Sequence, residues 1–210
     1  PMGSFFIEAN PENYKSYYLF AAGSGITPIL SILRTVLETE PNSHVYMVYG
    51  NKSKNTIMFN EDIKMLHKQY SERFHLQYIL SKPKSSWSSL FSSKNKEFIK
   101  GRIDPKFVRG FISNNPPYAQ NTQYYICGPE AMIVDTKQAL EAIDVPEDRI
   151  HIEYFGTASS KTDNGVENAT LTAVINEEPV EVTVPKSKTI LRTLLDNKLD
   201  VPYSCEGGVC

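Results

Sequence analysis

The sequence predicts an α/β fold: a doubly wound parallel sheet of five strands, followed by a smaller β-rich segment. Three observations lead there. Short apolar runs alternate with stretches of helical periodicity from residue 17 to residue 155. The first of these runs enters a glycine turn and then a helix. Past residue 168 the pattern changes to two strand-like runs and one short helix.

The opening stretch, Tyr17-Tyr18-Leu19-Phe20-Ala21-Ala22-Gly23-Ser24-Gly25-Ile26-Thr27-Pro28, organises the rest. Tyr17 to Ala22 suits a strand covered on both faces. Gly23 and Gly25 allow a sharp turn and a close approach by something large. Thr27 is placed to cap a helix, with Pro28 at its first position. Ile29, Leu30, Ile32, Leu33, Val36 and Leu37 then recur at helical spacing. Strand, glycine turn and helix N-terminus together form a phosphate site, with free N–H groups and the positive end of the dipole aimed at one spot. The spacing is Gly-x-Gly-x-x-Pro, not the Gly-x-Gly-x-x-Gly of the usual dinucleotide fingerprint, and it also fits a plain strand-to-helix turn.

Further elements follow in order. A short strand is expected around Phe5–Ile7, and strands at His44–Tyr49, Phe74–Leu80, Gln123–Cys127 and Arg149–Phe155. Helices are expected at Phe59–Tyr70, with Phe59, Ile63, Leu66 and Tyr70 on one face, and at Arg102–Ile112, opened by Asp104-Pro105. Another spans Glu130–Ile143, with Ile133, Leu140 and Ile143 inward. Ser81–Ser93, with the single Trp87, reads as a surface loop. The expected organisation is a lead-in (1–16), a nucleotide-binding domain (17–155), a small and polar linker (156–168) and a second unit (169–210). In that unit Ala169–Ile175 and Pro179–Val184 read as a hairpin, and Thr189–Asn197 as a helix burying Ile190, Leu191, Leu194 and Leu195.

Composition excludes several classes. The chain has 210 residues, 40% hydrophobic and 22% charged, with a net charge of −2, so nothing points to nucleic acid or an anionic membrane as partner. No apolar run reaches membrane-spanning length. Three cysteines make no disulfide framework, and a reducing cytoplasm is the expected compartment. Pro1 at the start and Cys210 at the end, inside a motif, read as the ends of a fragment.

Ligands of such a sheet lie beyond the carboxyl ends of its strands, so Gly23-Ser24-Gly25, Gly50-Asn51-Lys52 and Cys127-Gly128-Pro129 should line one crevice. Asn51, Lys52 and Lys54 stand where an adenosine ribose is read, with no acid until Glu61, which favours the 2′-phosphate of NADPH over NADH. The same lysines also fit a solvated turn. Cys127 is expected to face the crevice and place a nicotinamide ring rather than act as a nucleophile, since no Lys or Arg nearby would lower its pKa; it also fits a small buried hydrophobe. Cys205-x4-Cys210 has the spacing of the first two ligands of a plant-type [2Fe–2S] run, or is two unrelated cysteines. The four histidines show no metal-ligand spacing.

Together these stretches resemble the ferredoxin–NADP reductase superfamily. More closely, they resemble members that fuse a flavin–nicotinamide reductase to a C-terminal plant-type ferredoxin domain, among them reductase subunits of the phenylacetyl-CoA oxygenase kind and flavodoxin or ferredoxin reductases. Gly23-Ser24-Gly25-Ile26-Thr27-Pro28 matches the family's pyrophosphate loop, and Tyr49-Gly50-Asn51-Lys52 its ribose turn. Cys127-Gly128-Pro129-Glu130-Ala131-Met132 matches its nicotinamide-side motif, and Pro202 to Cys210 the start of its cluster loop.

The resemblance implies a hydride path from NADPH to FAD, then single electrons to a [2Fe–2S] centre and on to an oxygenase or other acceptor protein. It implies that Glu153-Tyr154-Phe155 meets the flavin, with Phe155 over its ring, that Cys127 and Glu153 stand at the reacting end, and that Cys205 and Cys210 are cluster ligands. It makes residues 1–16 the end of an FAD-binding barrel and residues 169–210 an incomplete β-grasp ferredoxin-like segment. The rest of the barrel and two cluster cysteines are outside this chain, so FAD and the cluster are implied for a longer parent; the fragment alone should be colourless and without diaphorase activity. The rival reading is a non-redox nucleotide-binding or regulatory module.

Overall fold

A computed structural model describes residues 5–83, 97–154, 168–175, 178–186, 188–199 and 201. The chain divides into two compact units, residues 1–155 and 156–210.

The first unit is a parallel sheet between two helical layers. Its strands are β1 (Ser16–Ala22), β2 (His44–Asn51), β3 (Phe74–Leu80), β4 (Phe98–Lys100), β5 (Thr122–Gly128) and β6 (Ile150–Tyr154), in the order β4-β3-β2-β1-β5-β6. All five pairings are parallel. Strand alternation divides the core in two. Tyr17, Leu19 and Ala21 of β1 pack with the buried faces of α1 (Ile26–Thr39) and α2 (Asn60–Gln69). Tyr18 and Phe20 point the other way, into the layer formed by α3 (Pro105–Asn114) and α4 (Glu130–Glu141). The near-continuous burial of β1 and β2 is what a sheet covered on both faces requires.

The order places β1 at the centre, with β2 on one side and β5 on the other. The chain runs outward to β4 on one side and outward to β6 on the other, so β1 and β5 flank the switch point where a crevice opens.

Several local expectations change. The sheet has a sixth strand, β4, which is only three residues long and carries no periodicity of its own. Residues 5–7 form no strand; Phe5 instead sets its ring edge-on to Tyr125 at 5.4 Å. Thr27 is not the helix cap: a 3-10 turn at Gly23–Gly25 leads into α1 at Ile26, and Thr27 Oγ1 donates to the Ser24 carbonyl at 3.0 Å. Phe59 is exposed, at the N-cap of α2 with φ 54°, so Ile63 and Leu66 alone form that helix's buried face. α4 ends at Glu141, which leaves Ile143 exposed. Asp104 caps α3 as expected, its carboxylate accepting from the Phe107 N–H at 2.7 Å, with Pro105 first in the helix.

The described part of the second unit holds an antiparallel hairpin, β7 (Asn168–Ile175) with β8 (Glu178–Pro185), and α5 (Ile190–Asp196). Thr189 caps α5 by accepting from the Arg192 N–H. Leu194 is buried and Leu191 and Leu195 are half-buried, whereas Ile190, expected inside, is exposed on the first turn. Trp87 and the expected loop beyond Pro83 lie outside the described residues.

Candidate dinucleotide site

The crevice is built from backbone first. Gly23 has φ +56°, a conformation that disfavours any side chain, and a Cβ added there would meet nothing within 4 Å among the described residues. The turn therefore presents a bare, open backbone surface. Gly25 has the opposite reason for being glycine. A Cβ there would stand 2.2 Å from the Cys127 carbonyl oxygen and 2.8 Å from the Gly128 nitrogen. Two motifs that lie about a hundred residues apart thus touch, backbone to backbone, across the β1–β5 switch point.

Around this contact, Ser24 and Thr27 are exposed, Pro28 is half-buried, and Ile26 is wholly buried, so Ile26 anchors the turn in the core. The Ile26 N–H bonds back to the carbonyls of Gly23 and Ser24. The buried Tyr49 hydroxyl donates to the Gly23 carbonyl at 3.1 Å and ties the turn to β2.

The second wall is the end of β2. Asn51 is only 9% exposed, yet its Nδ2 has no hydrogen-bond partner among the described residues. Its side chain lies beside the Tyr49 hydroxyl but outside bonding geometry. A buried amide donor without a partner is costly, and such a group at a crevice fits an acceptor supplied by a ligand. The carbonyls of Asn51 and Lys52 accept from the N–H groups of Ser81 and Lys82, and the Leu80 carbonyl from the N–H of Gly101. These bonds bring Lys52, Lys82, Lys100 and Arg102, all exposed, to one end of the sheet. Lys54 lies 5.7 Å over the Phe98 ring. Ile103, beyond Arg102, would meet a Cβ on Gly50 at 3.1 Å, which fixes residues 101–104 against the β2 turn.

The third wall is the end of β5. The Cys127 side chain is wholly buried in the core layer under α1, not open to the crevice. Burial, reinforced by the charge of Glu153, pushes its thiol up to about 12. It therefore stays protonated at neutral pH, in keeping with a non-nucleophilic role. Glu153, half-buried on β6, is the register partner of Cys127. Gly128 is covered by Met132, whose Cε would lie 2.8 Å from an added Cβ. Pro129 and Glu130 are exposed at the start of α4, where an acid suits the helix dipole.

The structure thus gathers Gly23, Ser24, Gly25, Thr27, Pro28, Asn51, Lys52, Gly128, Pro129 and Glu130 at one end of the sheet, with Ile26, Cys127 and Met132 supporting them from below. Phe155, Cys205 and Cys210 lie outside the described residues. Sequence reasoning placed Tyr49 in the ribose turn but missed the role of its hydroxyl, and it read Arg102 and Ile103 as helix where the structure has a turn before α3. Tyr49 looks like one more apolar strand residue, and the turn follows a strand too short to show a pattern.

Comparison with known proteins agrees with this geometry. Residues 19–138 match the family described as oxidoreductase NAD-binding domain, and residues 173–210 match the 2Fe-2S iron-sulfur cluster binding domain. The chain is 31% identical over 222 residues to a subunit of the 1,2-phenylacetyl-CoA epoxidase of Escherichia coli (strain K12), covering 100% of this chain and 58% of that protein. It is 26% identical to the ferredoxin reductase component of 3-ketosteroid-9-alpha-monooxygenase from Rhodococcus rhodochrous, over 92% of this chain and 52% of that protein. The chain spans about half the length of these relatives.

Solved structures show the same fold. The cytochrome P450 reductase GcoB of Amycolatopsis superposes with a TM-score of 0.59 at 21% identity, over 76% of this chain and 43% of that one. The CS-b5R domains of human Ncb5or (NAD+ form) superpose with a TM-score of 0.54 at 24% identity, over 66% and 36%. The chain belongs to the oxidoreductase NAD-binding domain family, in the ferredoxin-reductase type that carries a 2Fe-2S domain on the same chain.

Proposed function

We propose that this chain is the NAD(P)H-binding part of an electron-transfer reductase, which takes hydride from NADPH and delivers single electrons to an oxygenase or other acceptor protein. The observation that carries the reading is the contact of Gly25 with the Cys127-Gly128 backbone beside the bare face of Gly23. It makes one continuous backbone surface at the switch point, the right place and shape for a dinucleotide.

Each group then has a task. The open Gly23 turn and the N-terminus of α1 receive the pyrophosphate. Asn51 donates its free Nδ2 to the ribose side, and Lys52 meets a 2′-phosphate, with Lys82 and Arg102 adding positive field. Cys127 and Glu153, paired across β5 and β6, shape the nicotinamide end, and the protonated thiol adds no charge there. Phe155 covers the flavin ring, and Cys205 and Cys210 are the first two cluster ligands. A flavin, when bound, supplies the conversion from two-electron to one-electron chemistry.

The match of residues 173–210 to an iron–sulfur domain supports the redox reading over a regulatory nucleotide-binding module, which has no need of a cluster. Among the described residues no helix is long and apolar enough to cross a membrane, and we take the cytoplasm as the working compartment. The test uses the full-length gene product. Anaerobic NADPH should bleach its flavin absorbance, with Lys52→Ala raising the KM for NADPH and not for NADH. A protein that binds NADPH without bleaching would favour the regulatory module.

A further inference from the structure

A groove of about 860 Å³ runs between α3 and the outer strands β3 and β4. Among the described residues, α3 and α4 cover the centre of this face of the sheet and leave the β3–β4 edge partly bare. The floor is apolar: Ile99 and the half-buried Phe107 present it, backed by the buried Ile79 and Phe111. Ile99 is 38% exposed. One end is cationic, with Lys100, Arg102 and Lys106 around it. The Asp104 carboxylate, also at that end, is committed to the Phe107 N–H. The other end is neutral, at Asn114 and Asn115.

Gly110 lines the wall and sits in the interior of α3, where glycine is a poor choice. Its φ is not in the left-handed region, and a Cβ there would meet nothing within 4 Å among the described residues. Nothing described in the fold requires a glycine, whereas a bare helix backbone lets a bound body lie against it.

We propose that this groove binds a small amphipathic anion: an extended or flat apolar body along Ile79, Ile99, Phe107 and Gly110, with a carboxylate or sulfonate held by Lys100, Arg102 and Lys106. The volume suits a ligand of that size, and an apolar floor with a few charges at one end is the usual layout of such sites. The cationic end borders the dinucleotide crevice, but the apolar length leads away from it, down α3.

The test is fluorescence titration of the whole chain with 1-anilinonaphthalene-8-sulfonate, beside its neutral counterpart N-phenyl-1-naphthylamine. The sulfonate should bind one to one. Gly110→Leu fills the groove and should weaken it by about tenfold or more. Lys100→Glu with Lys106→Glu should weaken the sulfonate and not the neutral amine. Gly110→Ala should raise the melting temperature while reducing probe affinity, a pairing that general loss of structure does not produce. NADPH affinity should be unchanged in the Gly110 variants, so that failure here is separable from failure of the dinucleotide site. Equal probe binding by Gly110→Leu, or full displacement of the probe by NADPH, would overturn the proposal. So would a dimer in sedimentation that the probe dissolves, which would give the groove to a second copy of the chain.

Discussion

Gly25 lies so close to Cys127 that a Cβ on the glycine would stand 2.2 Å from the cysteine's carbonyl oxygen. Both partners in this contact are backbone, so neither can swing aside. Gly25→Ala must therefore part the β1 and β5 loops. The expected cost is about 1–3 kcal/mol of stability, as for other overpacked sites. NADPH affinity should fall by about tenfold or more. Calorimetry of binding and of unfolding, run on the same variant, checks both.

Tyr49→Phe removes only a hydroxyl. Its bond to the Gly23 carbonyl is what links the glycine turn to β2. Losing one buried neutral hydrogen bond costs about 1 kcal/mol, so the dinucleotide Kd should rise by about fivefold with the fold intact. An unchanged Kd would show that the turn holds its shape without β2.

Glu40 is wholly buried at the far end of the sheet. Its carboxylate accepts from Asn13 Nδ2 at 2.6 Å, Ser43 Oγ at 2.7 Å and the Tyr17 hydroxyl at 3.0 Å. Arg73 donates to the carbonyls of Leu37, Glu40 and Ser43 beside it. Glu40→Ala would take the acceptor from the donors of Asn13, Tyr17 and Ser43 at once and should cost about 3 kcal/mol or more. Urea unfolding at neutral pH measures it, and Glu40→Gln, which keeps an acceptor, should cost less.

Stability should fall at high pH. Burial raises Cys127 from its ordinary 9.0 to about 12, and Tyr125 from 10.0 to about 12. Raised pKa values mean that the folded state holds its protons longer than the unfolded chain. The stabilisation is complete below about pH 9 and is lost as pH climbs towards about 12. On the acid side, burial lowers His44, His75 and His151 below the ordinary 6.5, so their contribution is lost as pH falls below that value. Urea midpoints across this range test both limbs. Iodoacetamide should also leave Cys127 unmodified in the folded chain at neutral pH, read by peptide mass to separate it from Cys205 and Cys210.

Much of this was legible in the sequence, and for a physical reason. A parallel sheet covered on both faces needs continuous apolar strands, and β1 and β2 are such runs. Strand-end motifs are legible because the topology forces strand ends together, as Gly25 and Cys127 show. What could not be read depends on tertiary contact. β4 is three residues long and is defined by its partner β3. Cys127 was expected at the crevice, but strand alternation turns its side chain into the α1 layer. Phe59 fits the helical spacing of α2, yet the chain enters that helix through a left-handed residue that leaves the ring outside. The hydroxyl of Tyr49 and the turn at Arg102 acquire their roles only from neighbours distant in sequence.

The three strand ends are proposed to form one dinucleotide site selective for a 2′-phosphate. Calorimetric titration of the chain with NADPH and NADH, wild type against Lys52→Ala, tests it most directly. NADPH should bind more tightly than NADH, and the variant should lose this preference while its NADH affinity stays the same. Equal binding of both cofactors, unchanged by the substitution, would contradict the selectivity, and binding of neither would contradict the site.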